Sequence, residues 1–223
     1  MREIVLDTET TGFEPLEGHR ILEIAAIEIV NLMPTGNVFH TLIDPERDVP
    51  PEASRVHGFT RADLTGKPRF PEKAAEMLEF LGDSPIVAHN APFDFKHLDA
   101  ELLRAKRPPL NPARMIDTLA LARTAFPGAQ NSLDALCRRF GIDLSQRTTH
   151  NALLDVKLLA EVYLELRGGR QPGLVLGSAP AVQTLMREER QPRTPRPIQT
   201  TAEQEASFAA FLSKLKDPLW AKE

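Results

Sequence analysis

The sequence predicts an α/β fold, and three observations carry that expectation. A short apolar strand opens the chain, two more strand-like runs follow as a hairpin, and from residue 71 onward helical and strand patterns alternate. Strands followed by alternating helices and strands are the pattern of an α/β domain.

The elements follow in order. Ile4-Val5-Leu6 is a short buried strand that delivers the chain to Asp7. Ile21 to Val30 and Val38 to Ile43 read as two further strands, and Pro34-Thr35-Gly36-Asn37 supplies turn residues between them, so an antiparallel hairpin is expected to turn there. Pro71 to Leu81 reads as a helix with proline in its first turn and Gly82 at its end. Pro85 to Ala88 reads as a short strand and Pro92 to Arg104 as a helix. Ser132 suits the N-cap of a helix over Leu133 to Phe140, with Gly141 at the terminating position. Asn151 to Arg167 reads as a longer helix closed by Gly168.

Composition changes near residue 167. Gly168-Gly169 is followed by Pro172, Pro180, Pro192, Pro195 and Pro197, and no Phe, Trp or Tyr occurs from Leu164 to Ser207. Such a stretch buries too little apolar area to offset its ordering entropy. The expected organisation is a domain over 1–170, a flexible linker over 171–200 and a separate segment over 201–223. In that last segment Thr201 and Gln204 have capping-box spacing. Phe208, Phe211, Leu212 and Leu215 fall at i, i+3, i+4 and i+7, one apolar helix face, with Leu219 and Trp220 directly after. The helix either folds back onto the domain or anchors a partner. Helix-in-groove recognition uses this spacing and tryptophan is common at hot spots, which favours the anchor.

Of 223 residues, 42% are hydrophobic and 26% charged, ordinary for a soluble globular protein. A single cysteine, Cys137, excludes an internal disulfide framework. The longest apolar run, Ile21 to Val30, is broken by Glu23 and Glu28 and is too short to span a bilayer. With no signal-peptide pattern, a cytoplasmic protein without a membrane partner is expected. The formal net charge of −4 argues against a protein that grips long duplex DNA by neutralising many phosphates. It does not argue against an enzyme that engages only the last few nucleotides.

The acidic residues carry the chemistry. Asp7 and Glu9 stand at i and i+2, on one face of an extended strand, at the strand end where open α/β sheets hold their ligands. Asp94, in His89-Asn90-Ala91-Pro92-Phe93-Asp94, follows another short strand and lies near a helix start. Asp155 lies about one turn into a helix, and His150 just before it. Singly, each has a plain explanation: a solvated strand end, a first-turn acid favoured by the helix dipole, a surface histidine. Together, four carboxylates from separate segments can hold two Mg²⁺ or Mn²⁺ ions, which prefer oxygen ligands. Two such ions roughly 3.5–4 Å apart support in-line phosphodiester displacement. His150 would supply a base near neutral pH.

These motifs resemble the DEDDh exonucleases and, within them, the epsilon family of bacterial DNA polymerase III proofreading subunits. The resemblance rests on Ile4-Val5-Leu6-Asp7-Thr8-Glu9-Thr10-Thr11-Gly12, on His89 to Asp94, and on His150-x-x-x-x-Asp155. Asn131-Ser132-Leu133-Asp134-Ala135-Leu136-Cys137 and Val56-His57-Gly58 are similar to the same family, and the likeness covers about residues 3–170. It implies an RNase H-like exonuclease fold with a mixed central sheet flanked by helices. It implies that Asp7, Glu9 and Asp155 bind metal directly, with Asp7 shared, that Asp94 completes the set, and that His150 deprotonates the attacking water. Thr10, Glu52 and His57, with Asp7, Glu9 and Asp155, would contact the terminal nucleotide. Phe13 and Phe93 either stack on terminal bases or belong to the core.

The implied partners are frayed or single-stranded 3′ DNA ends, the alpha subunit of DNA polymerase III, the beta sliding clamp and, in addition, a small accessory subunit. Gln171-Pro172-Gly173-Leu174-Val175-Leu176 is similar to the Gln-x-x-Leu-x-Phe peptides that dock on clamps, with Leu176 replacing the aromatic. Phe208, Phe211, Leu212, Leu215 and Trp220 would hold the polymerase, raising the effective concentration of nuclease at the primer end. The alternatives are a DEDDh RNA exonuclease of the oligoribonuclease or RNase T type, a non-catalytic bridge between clamp and polymerase, and a ribonuclease H-like endonuclease.

Overall fold

A computed structural model describes residues 1–145, 147, 150–169 and 200–215. It divides into two units, Met1–Leu174 and Val175–Glu223. The first is built on five strands: β1 (Arg2–Thr10), β2 (Ile21–Val30), β3 (Met33–Leu42), β4 (Ile86–Ala88) and β5 (Met115–Asp117). Their order is β3-β2-β1-β4-β5. The β1–β2 and β2–β3 pairs are antiparallel, whereas β1–β4 and β4–β5 are parallel, giving the expected mixed sheet.

Strand parity sorts the core. Ile4 and Leu6 of β1 lie in one buried cluster with Ile24, Ala26 and Phe39, covered by helices α3 (Phe70–Leu81) and α4 (Ala91–Arg104). Val5 lies in the other, with Ala25, Ile27, Val87 and the Val156, Leu159 and Tyr163 side chains of helix α7 (Ala152–Leu166). Tyr163 also donates its hydroxyl to Glu3 Oε1 at 2.8 Å, pinning the far end of α7 to β1. A buried hydroxyl needs such a partner, since an unpaired one costs about 1–3 kcal/mol. By the same alternation Asp7 and Glu9 fall on the α7 face of the sheet, beyond Val5.

The hairpin turns earlier than its sequence suggests. Strand β3 begins at Met33, and Pro34-Thr35-Gly36-Asn37 lies inside it rather than forming the turn. The reversal is made by Asn31 and Leu32, both with positive φ, 51° and 68°. Two left-handed residues match the twist of a tight hairpin, and a leucine in that conformation leaves no sequence signal. Pro34 is tolerated because β3 is the edge strand, and the pairing shifts register between Ile27 and Ile29 beside it.

Several elements carry the expected ends. Ser132 Oγ caps helix α6 (Leu133–Phe140) by accepting from Ala135 N–H at 3.3 Å, and Gly141 closes it in the left-handed conformation. Asn151 caps α7 by accepting from Leu154 N–H at 3.0 Å. Three short helices, α1 (Pro51–His57), α2 (Arg61–Leu64) and α5 (Thr118–Ala125), and strand β5 were not legible as elements in the sequence. At three to eight residues they are too short for periodicity to emerge.

In the second unit, helix α8 (Ala202–Leu212) has the capping box expected of Thr201 and Gln204. Phe208 and Phe211 are more than half exposed, Leu215 is exposed and Leu212 is partly buried. Gln171, Leu174 and Leu176 of the clamp-like peptide, residues 171–199 of the expected 171–200 linker, and Leu219 and Trp220 lie outside the described residues. Among the described residues no helix is long and apolar enough to cross a membrane.

Candidate active site

The parallel pairing of β1 with β4 sets the carboxyl ends of both strands side by side. That places Asp7 and Glu9 next to the turn that leaves β4 and opens α4. Asn90 makes this turn with a left-handed backbone, φ 67°. The Asp117 carboxylate fixes it, accepting from Asn90 N–H at 3.0 Å and Ala91 N–H at 3.3 Å. Asp94, in the first turn of α4, is buried and accepts from Thr8 Oγ1 at 2.8 Å. Thr8 sits between Asp7 and Glu9 but points to the opposite face. One strand therefore presents metal-type ligands to one side and steadies Asp94 from the other.

Helix α7 brings Asp155. It is 3% exposed, and atoms of Glu9, His150 and Asp155 suited to metal coordination lie within 4.8 Å of one another. His150 precedes the helix, half exposed, and its backbone N–H donates to Val56 O of α1 at 3.1 Å. Its Nδ1 lies 3.4 Å from Asp155 Oδ2. Two cavities meet here. One, of about 600 Å³, is lined by Asp7, Glu9, Asp94 and His150 together with Thr10, Glu52, His57, Phe13 and Phe93. The other, of about 830 Å³, shares Asp7, His89 and His150 and adds Asp155, Arg147 and Arg123.

Electrostatics match this crowding. Burial, then the charges of Asp94, Glu9 and Asp155, hold the Asp7 carboxyl well above its usual range. Burial and the same kind of repulsion push Glu9 up to about 8, and burial pushes Asp94 up to about 7. Asp155 goes the other way: burial raises it, but the hydrogen bonds and charges of Arg147 and His150 outweigh that and leave it lowered. An all-oxygen set of crowded carboxylates with one imidazole beside it is a donor set for hard divalent cations. The residues present fit such ions.

The substrate-type residues gather in the first cavity. Glu52 stands in the first turn of α1, and His57 ends that helix, 4% exposed, so neither belongs to a loop. His57 Nδ1 accepts from Phe59 N–H at 3.1 Å, while Nε2 finds no partner among the described residues. Burial holds the His57 imidazole below its usual pKa, with the Thr10 backbone acting the other way. Thr10 Oγ1 donates to Gly12 O at 2.8 Å, shaping the loop that carries Phe13. Phe13 is 82% exposed and makes an edge contact with Phe93 at 6.4 Å between ring centroids, so Phe13 is not a core residue.

Two residues of the site were missed in the sequence. Glu23 is fully buried opposite Glu9 in the β1–β2 register. It accepts from Ala152 N–H at 3.1 Å at the start of α7 and lies 2.7 Å from His40 Nε2. Its signal was a carboxylate inside an otherwise apolar strand. Arg147 donates from Nε and Nη2 to both oxygens of Asp155, each at 2.7 Å, and from Nη1 to Asp134 Oδ1 at 2.6 Å. It belongs to no helix or strand, so no periodicity marked it.

Comparison with known proteins agrees with this geometry. Residues 4–163 match the exonuclease family model RNase_T. The chain is 48% identical over 222 residues to DNA polymerase III subunit epsilon of Rickettsia conorii, covering 96% of each chain. It is 49% identical over 176 residues to the same subunit of Escherichia coli K12, covering 76% of this chain and 72% of that one. Exonuclease X in complex with 5′ overhanging duplex DNA superimposes with a TM-score of 0.57 at 27% identity, over 74% of this chain and 90% of that one. The chain belongs to the RNase_T exonuclease family and, within it, to the epsilon subunits of DNA polymerase III.

Proposed function

We propose that the cleft performs 3′→5′ proofreading by hydrolysing the last phosphodiester of a frayed DNA strand with two divalent cations, Mg²⁺ or Mn²⁺, and releasing a nucleoside monophosphate. The observation that carries this reading is the meeting of Asp7, Glu9, Asp94 and Asp155 from three separate elements beside the His150 imidazole. Asp7, Glu9 and Asp155 would hold the ions, with Asp94 completing the set. When bound, such ions lower the pKa of water and stabilise the leaving oxygen.

The protein's own groups do the rest. The terminal nucleotide enters the cavity of Phe13, Phe93, Glu52 and His57. With Nδ1 directed at Asp155, His150 accepts the proton of the attacking water at Nε2. A mismatched end reaches the cavity more readily because it unpairs at lower cost.

The finer partners belong to the same proposal. The alpha subunit of the polymerase would take the face of Phe208, Phe211, Leu212 and Leu215 with Trp220. The clamp would take Gln171, Leu174 and Leu176. Such tethering supplies the local concentration that a chain of net charge −4 does not obtain from phosphate contacts. Asp7→Ala is expected to abolish nucleotide release while leaving capture of the polymerase unchanged. Wild-type hydrolysis in that variant would refute the metal assignment.

A further inference from the structure

We infer that Arg147 is a positioning residue that holds Asp155 and His150 in a resting arrangement and yields Asp155 to an incoming divalent cation. The inference rests on the two-metal reading above.

Its basis is the geometry around one guanidinium. Arg147 has a side chain only 9% exposed and occupies both oxygens of Asp155. Bidentate pairing of this kind is the strongest an arginine makes with a carboxylate. A cation that takes Asp155 as a ligand meets the guanidinium's positive charge at both oxygens and competes with it for them. The second half concerns His150. Arg147 Nη2 lies 2.9 Å from His150 Nδ1 and 3.5 Å from Nε2. Guanidinium only donates, so an Nδ1 in this contact must accept. In a neutral ring the proton then resides on Nε2, the nitrogen that has to be bare to take a proton from water. Once Arg147 withdraws, Asp155 Oδ2, 3.4 Å from Nδ1, is the adjacent acceptor that favours the opposite tautomer.

The arrangement is anchored from outside the ligand set. Asp134, in the first turn of α6, holds Nη1 at 2.6 Å and so braces the guanidinium against Asp155. One exchange thus exposes a metal ligand and frees the base together. Until then the guanidinium neutralises a carboxylate cluster that burial makes costly.

Calorimetric titration of Mn²⁺ into the full chain tests this, comparing wild type with Arg147→Gln, Asp134→Asn and Arg123→Gln. Removing a direct competitor should tighten Mn²⁺ binding by about tenfold in Arg147→Gln, equivalent to ~1.4 kcal/mol. Asp134→Asn deletes a negative charge near the site, yet should also tighten binding, by a smaller factor, because it unpins the guanidinium. This variant carries the test if Arg147→Gln does not fold. Arg123→Gln removes a cation from the same cavity without touching Asp155 and should shift binding by less than about twofold, as expected for a screened charge. Unchanged or weaker binding in Arg147→Gln, or an equal shift in Arg123→Gln, overturns the inference. If Arg147→Gln fails to fold, unchanged or weaker binding in Asp134→Asn overturns it. No Mn²⁺ binding by wild type would instead overturn the two-metal reading.

Discussion

Each buried carboxylate at the catalytic end of the sheet requires a compensating partner, and the partners differ. Asp94 has Thr8, Asp155 has Arg147, and Glu23 has the start of α7 with His40. Burial, and then the charges of the other acids, push Asp7 and Glu9 up in pKa, which leaves them as the pair a cation would relieve most. In the proposed mechanism His150 is the base, so His150→Ala should lower the turnover of a 3′ end by about 10²–10⁴-fold. Steady-state rates with a short single-stranded oligonucleotide check this, and an unchanged rate and pH profile would remove His150 from the mechanism. The acids and His150 were legible because motif spacing reports them directly. Arg147 was not, because its role exists only after residues 134, 147, 150 and 155 meet in space. Glu23 left a trace, a charge in an apolar strand, but its partners come from α7 and β3, far along the chain.

At the scale of elements, the loop after β1 decides how the aromatic mouth is presented. A side chain at Gly12 would collide with the His19 imidazole, which itself lies 3.2 Å from Thr11 Oγ1. Gly12 O in turn faces His97 Nε2 at 3.1 Å, tying the loop to α4. Gly12→Ala should therefore displace Phe13 and cost about 1–3 kcal/mol by overpacking. Raised KM for DNA ends with a smaller change in kcat is the expected kinetic sign, and unchanged KM together with unchanged melting would contradict it. Long elements such as β2, α4 and α7 were readable from periodicity and caps. The hairpin turn was misplaced because Asn31-Leu32 takes a left-handed path that the pairing of β2 with β3 imposes, while the Pro-Thr-Gly-Asn cluster looked like the better turn. Helices α1 and α5 were too short to announce themselves, although α1 carries Glu52 and His57.

At the scale of the whole molecule, helix α8 is proposed to attach the catalytic unit to a partner. Helix α8 leaves Phe208 and Phe211 more than half exposed, an apolar pair available to the proposed partner. Phe208→Ala combined with Phe211→Ala should weaken capture of the polymerase by about tenfold or more, as for hot-spot aromatics. The same variant should hydrolyse free oligonucleotides at the wild-type rate; loss of both activities would mean that α8 supports the catalytic unit. The fold class was legible from the strand-then-alternation pattern, and the mixed sheet from the family resemblance.

The most direct measurement is product identification after incubating the protein with a mispaired primer–template and Mg²⁺, with and without chelator. Deoxynucleoside monophosphates released one at a time from the 3′ end, and none when the metal is chelated, are the predicted result. Oligonucleotide products from internal cleavage, or release that continues in excess chelator, would contradict a metal-dependent exonuclease built on these four acids.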